Sequence, residues 1–362
     1  MTYFLHHFPS ILGFLITYLI SLLIIFLSVR WGHLNRNFDQ IQNSHQHVAN
    51  RYGGAAIAVA MLLVVCYQNI AIEKINIEIQ VLFFFSWAAL FIGFLDDILG
   101  HVSPIFRSLA MIGVAVIAGF NLGWLDKVHI DLIDNLVNDN LILGASLTVV
   151  GVVGLTNSFN LIDGLNGLCS GTAILILAAL CYVSSVLGFK EFTSFYLLLI
   201  FCIFGFFILN FPRGRIFLGD GGAYFLGFLI AQGCILLNSR STEISSWVFV
   251  LMCIYNIWET IFSMLRRAIS RQSWSVADRG HLHQLVFDNL CQGKSVFQKT
   301  TANALASILC LLFPAASSVL AMMFFDSSSA LQLACICLVI VYLAIYFSLR
   351  ARLTKANTPA RF

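Results

Sequence analysis

Residues 81–97 read VLFFFSWAALFIGFLDD. The first fifteen of these residues carry no charge, and the last two are the carboxylates Asp96 and Asp97. A long uncharged and largely apolar run is typical of a helix in a lipid bilayer, because hydrocarbon accepts apolar side chains far more readily than charged ones. The stretch therefore predicts a membrane helix that ends in an acidic pair at one membrane face.

The composition of the whole chain excludes a soluble globular protein. Of the 362 residues, 59% are apolar in the wide sense and only 10% are charged, whereas soluble domains carry roughly 25% charged residues. The formal net charge of +3 is too small to indicate binding to nucleic acid. Most of the ten cysteines lie in apolar runs, where cysteine behaves as a small hydrophobic residue, so neither disulfides nor a zinc site are expected.

Hydropathy along the chain predicts eleven membrane-spanning helices. Such a helix needs about 20 mostly apolar residues, and the candidate runs lie at 11–29, 54–72, 81–95, 105–123, 141–156, 168–187, 192–210, 217–237, 247–265, 302–324 and 331–349. The predicted fold class is an all-α polytopic membrane protein, in which residues 1–362 form a single membrane domain.

The positive charges divide unevenly between the two sets of loops. One set holds 16 of the 20 Lys and Arg residues, while the other holds Lys74, Lys127, Lys190 and Arg240. Because cytoplasmic loops carry the excess of positive charge, the N terminus is predicted outside and the C terminus in the cytoplasm. The longest and most basic inside loop covers residues 266–301.

Polar residues suited to chemistry emerge at the same predicted cytoplasmic face. They are Asp96, Asp97, Asn157, Asn160, Asp163, Asn166, Asp220, Asp278, His281 and His283. Acids in the outside loops, such as Asp131 and Asp139, show no recognisable pattern and are interpreted as solvated loop. This one-sided distribution favours a functional site at the inner face.

The acidic pair and the segment NSFNLIDGLNG at residues 157–167 each have a functional and a plain interpretation. A carboxylate at the lipid interface or in a cavity is unfavourable without a partner or a function, and the alternative is an interfacial turn. If residues 157–167 are helical, Asp163 shares a face with both Asn160 and Asn166. Carboxylate and amide oxygens suit Mg²⁺, and the alternative here is a capped helix break.

The segment FLGDGGAYFLG at residues 217–227 places a single Asp between glycines at the start of an apolar span. It is not a P-loop, because Phe228 stands where that motif requires Lys, and Tyr224 breaks the dinucleotide-binding glycine pattern. Asp220 is therefore either a helix N-cap or a metal ligand.

The segment DRGHLHQ at residues 278–284 combines Arg279 with two histidines. At positions i and i+2 of a helix, His281 and His283 would point to different faces, so contact with phosphate oxygens is favoured over joint chelation of a metal. The alternative is a basic loop attracted to anionic lipid headgroups. A stripe of apolar residues predicts a helix lying along the interface, formed by Leu282, Leu285, Val286 and Leu290.

Glu259 is an acid within the predicted span 247–265. A carboxylate inside a membrane segment needs a partner, and the sequence does not name one.

These segments, in this order, resemble the polyprenyl-phosphate N-acetylhexosamine-1-phosphate transferase family, which includes the enzymes that start O-antigen and enterobacterial common antigen synthesis. The resemblance spans most of the chain. The acidic pair, residues 157–167, residues 217–227 and residues 278–284 match four of the family's motifs. The family's first inside loop, which ends in Pro-Arg-x-Gly-Gly, is matched by Asp39, Asn43, Ser44, His45, Arg51, Gly53 and Gly54.

Three positions depart from the family pattern. Asn50 stands where the family usually has Pro, Asn166 where many members have Asp, and Gln284 where the last His is common. The first-loop pattern and the missing His favour the surface-polysaccharide branch over the branch that transfers a peptide-bearing sugar.

The resemblance implies that a polyprenyl phosphate attacks the β-phosphorus of a UDP-N-acetylhexosamine, which yields polyprenyl-diphosphate-sugar and UMP. It implies a Mg²⁺ cofactor, with Mn²⁺ as an alternative, in a bacterial inner membrane enzyme whose active site faces the cytoplasm. A homodimer is left open. The implied metal ligands are Asp220 and Asp163; the implied catalytic residues are Asp96, Asp97, Asp163, His281 and His283; the implied substrate-binding residues are Arg51, Asn157, Asn160, Asn166 and Arg279.

A secondary transporter is the alternative function, because transporters also use intramembrane acids and broken helices. Transporters place these groups near the bilayer midplane and contain internal repeats. Here the acids crowd one face and no repeat is found, so the transferase is preferred. A structural membrane protein, the third interpretation, would not need oxygen ligands in several separate inside loops.

Overall fold

The computed structural model describes residues 2–31, 50–72, 74–241, 244–271, 280–291 and 295–357. These residues form helices and connecting loops without any β-strand, which confirms the all-α class. The helices are α1 (Thr2–Trp31), α2 (Gly53–Ala71), α3 (Ile77–Leu99), α4 (Pro104–Leu122), α5 (Asp131–Asp139), α6 (Leu141–Ile162), α7 (Leu168–Val186), α8 (Lys190–Asn210), α9 (Gly219–Arg240), α10 (Trp247–Met252), α11 (Ile254–Ile269), α12 (Leu282–Cys291), α13 (Val296–Met323) and α14 (Ser328–Asn357).

Ten of the described helices are long and apolar enough to cross a membrane, which confirms a polytopic membrane protein. They correspond to ten of the eleven predicted spans. The remaining prediction, residues 247–265, is divided at Cys253 into α10 and α11. Beyond the break, α11 buries a polar stripe formed by Asn256, Glu259 and Ser263. Neither Gly nor Pro marks this break, so hydropathy alone predicts one continuous helix.

The loops meet in two groups at opposite ends of the helices. At one end, His129 Nδ1 lies 3.0 Å from Ser246 Oγ, and Ser328 Oγ donates to Ser245 Oγ at 2.8 Å. At the other end, Asn166 Nδ2 donates to the Pro212 carbonyl at 3.0 Å. These contacts agree with the two predicted sets of loops, while the orientation of the two ends in the cell stays a prediction.

Helix α9 is the most enclosed of the ten spans, because 89% of the residues in its apolar stretch are buried inside the protein. It packs against α2, α3, α6 and α7. Glycines permit this close approach, since a Cβ on Gly54 would overlap the Cα of Gly222 and one on Gly93 would overlap the carbonyl of Asp220. The ends of α2 and α3 are thereby brought against the first turn of α9.

The short helix α12 packs against α13 and α14. Leu282, Leu285 and Val286 are buried in the core. The prediction that this stripe lies along the lipid interface was therefore wrong, because protein rather than lipid covers it.

Candidate active site

The site begins where α3 meets the first turn of α9. Asp97 Oδ1 accepts a hydrogen bond from the Asp220 backbone N–H at 3.0 Å, and its Oδ2 accepts one from Gly221 N–H at 2.9 Å. The first N–H groups of a helix have no partner within the helix and attract negative charge. Gly219, at φ +80°, supplies the left-handed backbone that opens α9. Asp97 therefore holds the α9 N-terminus in place.

Asp96, the other member of the pair, points to Arg107 on α4. Arg107 Nη1 donates to Asp96 Oδ2 at 2.6 Å and to Asp220 Oδ2 at 2.9 Å. Asp96 Oδ1 also accepts from Val102 N–H at 3.0 Å, and Asn160 Nδ2 donates to Asp220 Oδ2 at 3.2 Å. Three helices and the turn between α3 and α4 thus meet around one guanidinium.

Sequence reasoning counted Arg107 among the inside charges but did not assign it to the site. A signal was available, because an Arg inside a predicted membrane span needs an acidic partner. The structure supplies two such partners, one of which is distant in sequence.

Asp163 follows the last turn of α6 and faces the same group of charges. It makes no hydrogen bond or ion pair with any described residue, yet it interacts electrostatically with Asp220, Arg51 and Asp97. Burial raises the pKa of the Asp163 carboxyl well above its ordinary value, and repulsion from Asp220 raises it further. A carboxylate in such a position gains from a bound cation or a proton.

Asn157 and Asn160 lie one turn apart on α6 and both face α9. Tyr224 Oη donates to Asn157 Oδ1 at 3.1 Å, while Asn157 Nδ2 donates to the Val153 carbonyl at 2.9 Å. Asn160 reaches Asp220, as described above. The structure therefore brings Asn160 to the carboxylate of Asp220 and Asn157 to the hydroxyl of Tyr224, a contact that sequence reasoning missed.

Asn166 contacts α13 and the loop after α8 instead of the carboxylates. Its backbone N–H donates to Asn303 Oδ1 at 3.0 Å, and its side chain binds the Pro212 carbonyl. These contacts fasten the α6–α7 turn to α13 and to the loop after α8. They do not bring Asn166 to the carboxylates, because the chain turns after Asp163.

Arg51 is the described part of the first inside loop that reaches the site. Its backbone carbonyl lies against Gly219, and its side chain interacts electrostatically with Asp97, Asp163 and Asp220. Other predicted residues lie outside the described parts of the chain, namely Asp39, Asn43, Ser44, His45, Asp278 and Arg279.

The two histidines stack in parallel beside this group, with ring centroids 5.7 Å apart and 7° between the ring planes. The expectation of different faces assumed that both histidines lie in one helix, but α12 begins at Leu282 and His281 precedes it. His283 Nε2 lies 2.5 Å from the position that a Cβ on Gly164 would occupy. His283 therefore packs on the residue that follows Asp163.

Burial lowers the pKa of His283 to about 4, and the charge of His281 acts in the same direction. At neutral pH His283 is thus a neutral imidazole. It can donate or accept a hydrogen bond at the substrate side, but it does not supply a positive charge.

Glu259 is hydrogen-bonded to three groups of the protein. Its Oε1 accepts from Leu282 N–H at 3.1 Å and lies 3.0 Å from His281 Nδ1, while Oε2 accepts from Tyr342 Oη at 2.7 Å. The intramembrane acid that the sequence left without a partner is bound to the histidine segment.

The residues present fit a Mg²⁺ ion shared with a substrate. In the described chain the group contains four carboxylates and two guanidinium groups, a formal charge of −2 if all are ionised, from Asp96, Asp97, Asp163, Asp220, Arg51 and Arg107. No three His, Cys, Asp or Glu side chains among the described residues form a closed metal cage. Mg²⁺ usually binds through one or two carboxylates, water and substrate phosphates, so a closed cage is not required.

The carboxylate group falls within a recognised family region. Residues 79–238 match the model of glycosyl transferase family 4. The chain is 28% identical over 265 residues to a probable undecaprenyl-phosphate N-acetylglucosaminyl 1-phosphate transferase of Bacillus subtilis, covering 68% of each protein. These matches bear out the predicted resemblance to this family.

Two further relatives are also polyprenyl-phosphate sugar-1-phosphate transferases. The phospho-N-acetylmuramoyl-pentapeptide-transferase of Staphylococcus carnosus is 28% identical over 67% of this chain and 79% of its own length. A putative UDP-N-acetylglucosamine–dolichyl-phosphate N-acetylglucosaminephosphotransferase of Sulfolobus acidocaldarius is 26% identical over 76% and 84%, respectively. These relationships favour a transferase over a transporter.

The match to glycosyl transferase family 4 contains all four carboxylates and Arg107, but it ends before α10. Glu259, His281 and Tyr342 therefore lie in a part of the chain that the family model does not cover.

Proposed function

We propose that the protein transfers an N-acetylhexosamine 1-phosphate from a UDP-sugar to undecaprenyl phosphate, with release of UMP. The reaction would take place at the cytoplasmic face of a bacterial inner membrane, as the first membrane step of a surface polysaccharide such as O-antigen. The observation that carries this proposal is the meeting of Asp97, Asp163 and Asp220 with two arginines at one end of the bundle.

The charge distribution suits a reaction between two phosphate-bearing substrates. Asp220, with Asp163 beside it, would hold Mg²⁺, and Mn²⁺ is an alternative ion. When bound, the metal would supply positive charge that offsets the negative charge of the diphosphate. Arg51 and Arg107 carry positive charge at the same place and would bind the remaining phosphate oxygens.

The acidic pair is used for positioning in this arrangement. Both oxygens of Asp97 accept backbone hydrogen bonds from α9, and both oxygens of Asp96 are also occupied. A lipid phosphate has a second pKa near 6, so most of it is already deprotonated at neutral pH. Asp96 and Asp97 would thus serve the transfer by placing Arg107 and Asp220, without acting as an obligatory base.

The histidine segment would contribute to substrate binding through His283. His283 is a neutral imidazole next to the Asp163–Gly164 turn, where it can donate a hydrogen bond to a phosphate oxygen. The first-loop pattern, together with Gln284 in place of the last His, supports the surface-polysaccharide branch. The relatives named above differ in both sugar and lipid, so the sugar has to be determined directly.

The decisive experiment measures UMP release by the purified full-length protein with undecaprenyl phosphate, Mg²⁺ and a panel of UDP-sugars. UMP should form with at least one UDP-N-acetylhexosamine and should require the lipid phosphate. EDTA should stop the reaction, and added Mg²⁺ should restore it. A protein that releases no UMP with any sugar, but accumulates a UDP-sugar inside sealed vesicles, would instead be a transporter.

A further inference from the structure

We propose that Tyr342, on the last helix, is a positioning residue that aligns His281 and His283 through the carboxylate of Glu259. The inference rests on the proposed transferase function for its role in turnover. The alignment itself can be measured without any substrate.

Glu259 connects three separate parts of the chain. It lies on α11, is 1% exposed, and binds the backbone of Leu282, the ring of His281 and the hydroxyl of Tyr342. A buried carboxylate is unfavourable unless its oxygens accept hydrogen bonds. These donors therefore determine where the carboxylate points, and the carboxylate in turn determines where the segment before α12 lies.

Tyr342 is itself fixed by aromatic packing. Its ring is fully buried and meets Phe262 of α11 and Phe313 of α13 edge to face, at centroid distances of 5.7 Å and 6.0 Å. Such contacts restrict the rotation of a ring. The hydroxyl is therefore presented to Glu259 Oε2 from a rigid position set by α11, α13 and α14.

The connection continues to the carboxylate group. The bond between His281 Nδ1 and Glu259 orients the first imidazole, and the second stacks parallel to it. His283 Nε2 in turn touches Gly164, the neighbour of Asp163. Rotation of the Glu259 carboxylate would consequently move the imidazole pair relative to the site.

The test compares Tyr342→Phe with Tyr346→Phe. Tyr346 is one turn further along α14, is also buried, and stacks on Tyr342 at 6.2 Å, but its hydroxyl is not bonded to Glu259. Each variant loses one hydroxyl and keeps its ring. The matched pair therefore separates the hydrogen bond from the aromatic packing.

The first measurement is the rate at which diethyl pyrocarbonate modifies each histidine of the full-length protein, followed by mass spectrometry. Exposed His101, at the α3–α4 turn, is the internal standard. In Tyr342→Phe the modification of His281 and His283 should rise at least threefold relative to His101, as a rough expectation for loss of a bond to a charged group. In Tyr346→Phe it should not change.

The second measurement is turnover, as UMP release. Tyr342→Phe should lower kcat about tenfold with little change in KM for the UDP-sugar, because a misaligned imidazole affects the reacting phosphates more than ground-state binding. Tyr346→Phe should match the parent protein. If no UMP forms in any variant, the proposed function fails, while the modification rates still report on the alignment.

Equal modification rates in Tyr342→Phe and the parent protein would overturn the proposal. So would equal changes in the two Tyr variants, since that result assigns the effect to packing. If Tyr342→Phe does not fold, Glu259→Gln is judged by the same modification ratio, and an unchanged ratio overturns the proposal.

Discussion

Two polar regions lie at the same end of the bundle and differ in how completely their charges are satisfied. Around Asp220, carboxylates outnumber guanidinium groups, and the side chains of Asp96 and Asp220 remain 16% and 21% exposed. Around Glu259, one carboxylate that is 1% exposed is surrounded by donors. The first region can therefore bind a cation and phosphates, whereas in the second the carboxylate is already satisfied by hydrogen bonds from the protein. We infer that the carboxylate region binds the phosphate-bearing substrates with a metal ion. The Glu259 region fixes the position of the histidine segment.

The largest effect should come from the carboxylate region. Asp220→Asn removes the charge that faces Arg107 and Asp163, so turnover should fall by roughly 10²–10³-fold, the range seen when one preorganised electrostatic group is lost. UMP release by purified protein measures it. Asp139→Asn, on exposed α5 at the other end of the bundle, is the matched control and should leave turnover unchanged. Near-normal turnover in Asp220→Asn would remove the metal role.

Arg107 sharpens the comparison, because it is the cation already present between two acids. Arg107→Gln should lower turnover about tenfold, since a charge-assisted bond is lost. The same variant should reach half-maximal activity at a lower Mg²⁺ concentration, because one competing positive charge is gone. Titration of UMP release against Mg²⁺ tests both effects, and an increased Mg²⁺ requirement would contradict this assignment.

The junction between the two regions can be tested at Gly164. A Cβ there would lie 2.5 Å from His283 Nε2, so Gly164→Ala should displace the imidazole and lower turnover a few-fold, by roughly 1 kcal/mol of transition-state energy. Gly151→Ala is the control, because nothing lies within 4 Å of its Cβ position on α6. Equal turnover in the two variants would show that the contact is unimportant.

The last expected effect is on stability rather than on turnover, and it acts through the buried imidazole of His283. Its pKa falls from 6.5 to about 4 in the folded protein. The unfolded protein therefore binds more protons than the folded one between these two values, so stability is lost as the pH falls from 6.5 towards 4. Over the whole range from pH 6.5 to pH 4, the free energy of unfolding should decrease by about 3 kcal/mol.

Thermal unfolding in detergent at pH 7 and pH 5 measures this effect. His283→Gln cannot protonate, so its Tm should fall less than that of the parent protein over the same interval. An identical decrease in both proteins would mean that His283 is not the group that titrates.

The comparison also separates what could be predicted about the site from what could not. The carboxylate region follows from acids and amides in three inside segments, and the structure brings Asp97, Asp163, Asp220 and Asn160 together as expected. Their shared position at helix ends made the prediction possible. The direction of Asn166 could not be predicted, because it depends on how the α6–α7 turn packs against α13 and Pro212.

The sequence by itself determined the membrane class, ten of the helical spans, the two sets of loops and the face where the carboxylates collect. These properties follow from transfer of side chains between water and hydrocarbon, which depends on composition within a short window. Only the tertiary structure decided that the chain breaks at Cys253, that Arg107 joins two acids, and that Tyr342 and His281 are the partners of Glu259. Hydropathy indicates that Arg107 and Glu259 need partners, but it does not identify those partners, because packing geometry between distant parts of the chain determines them.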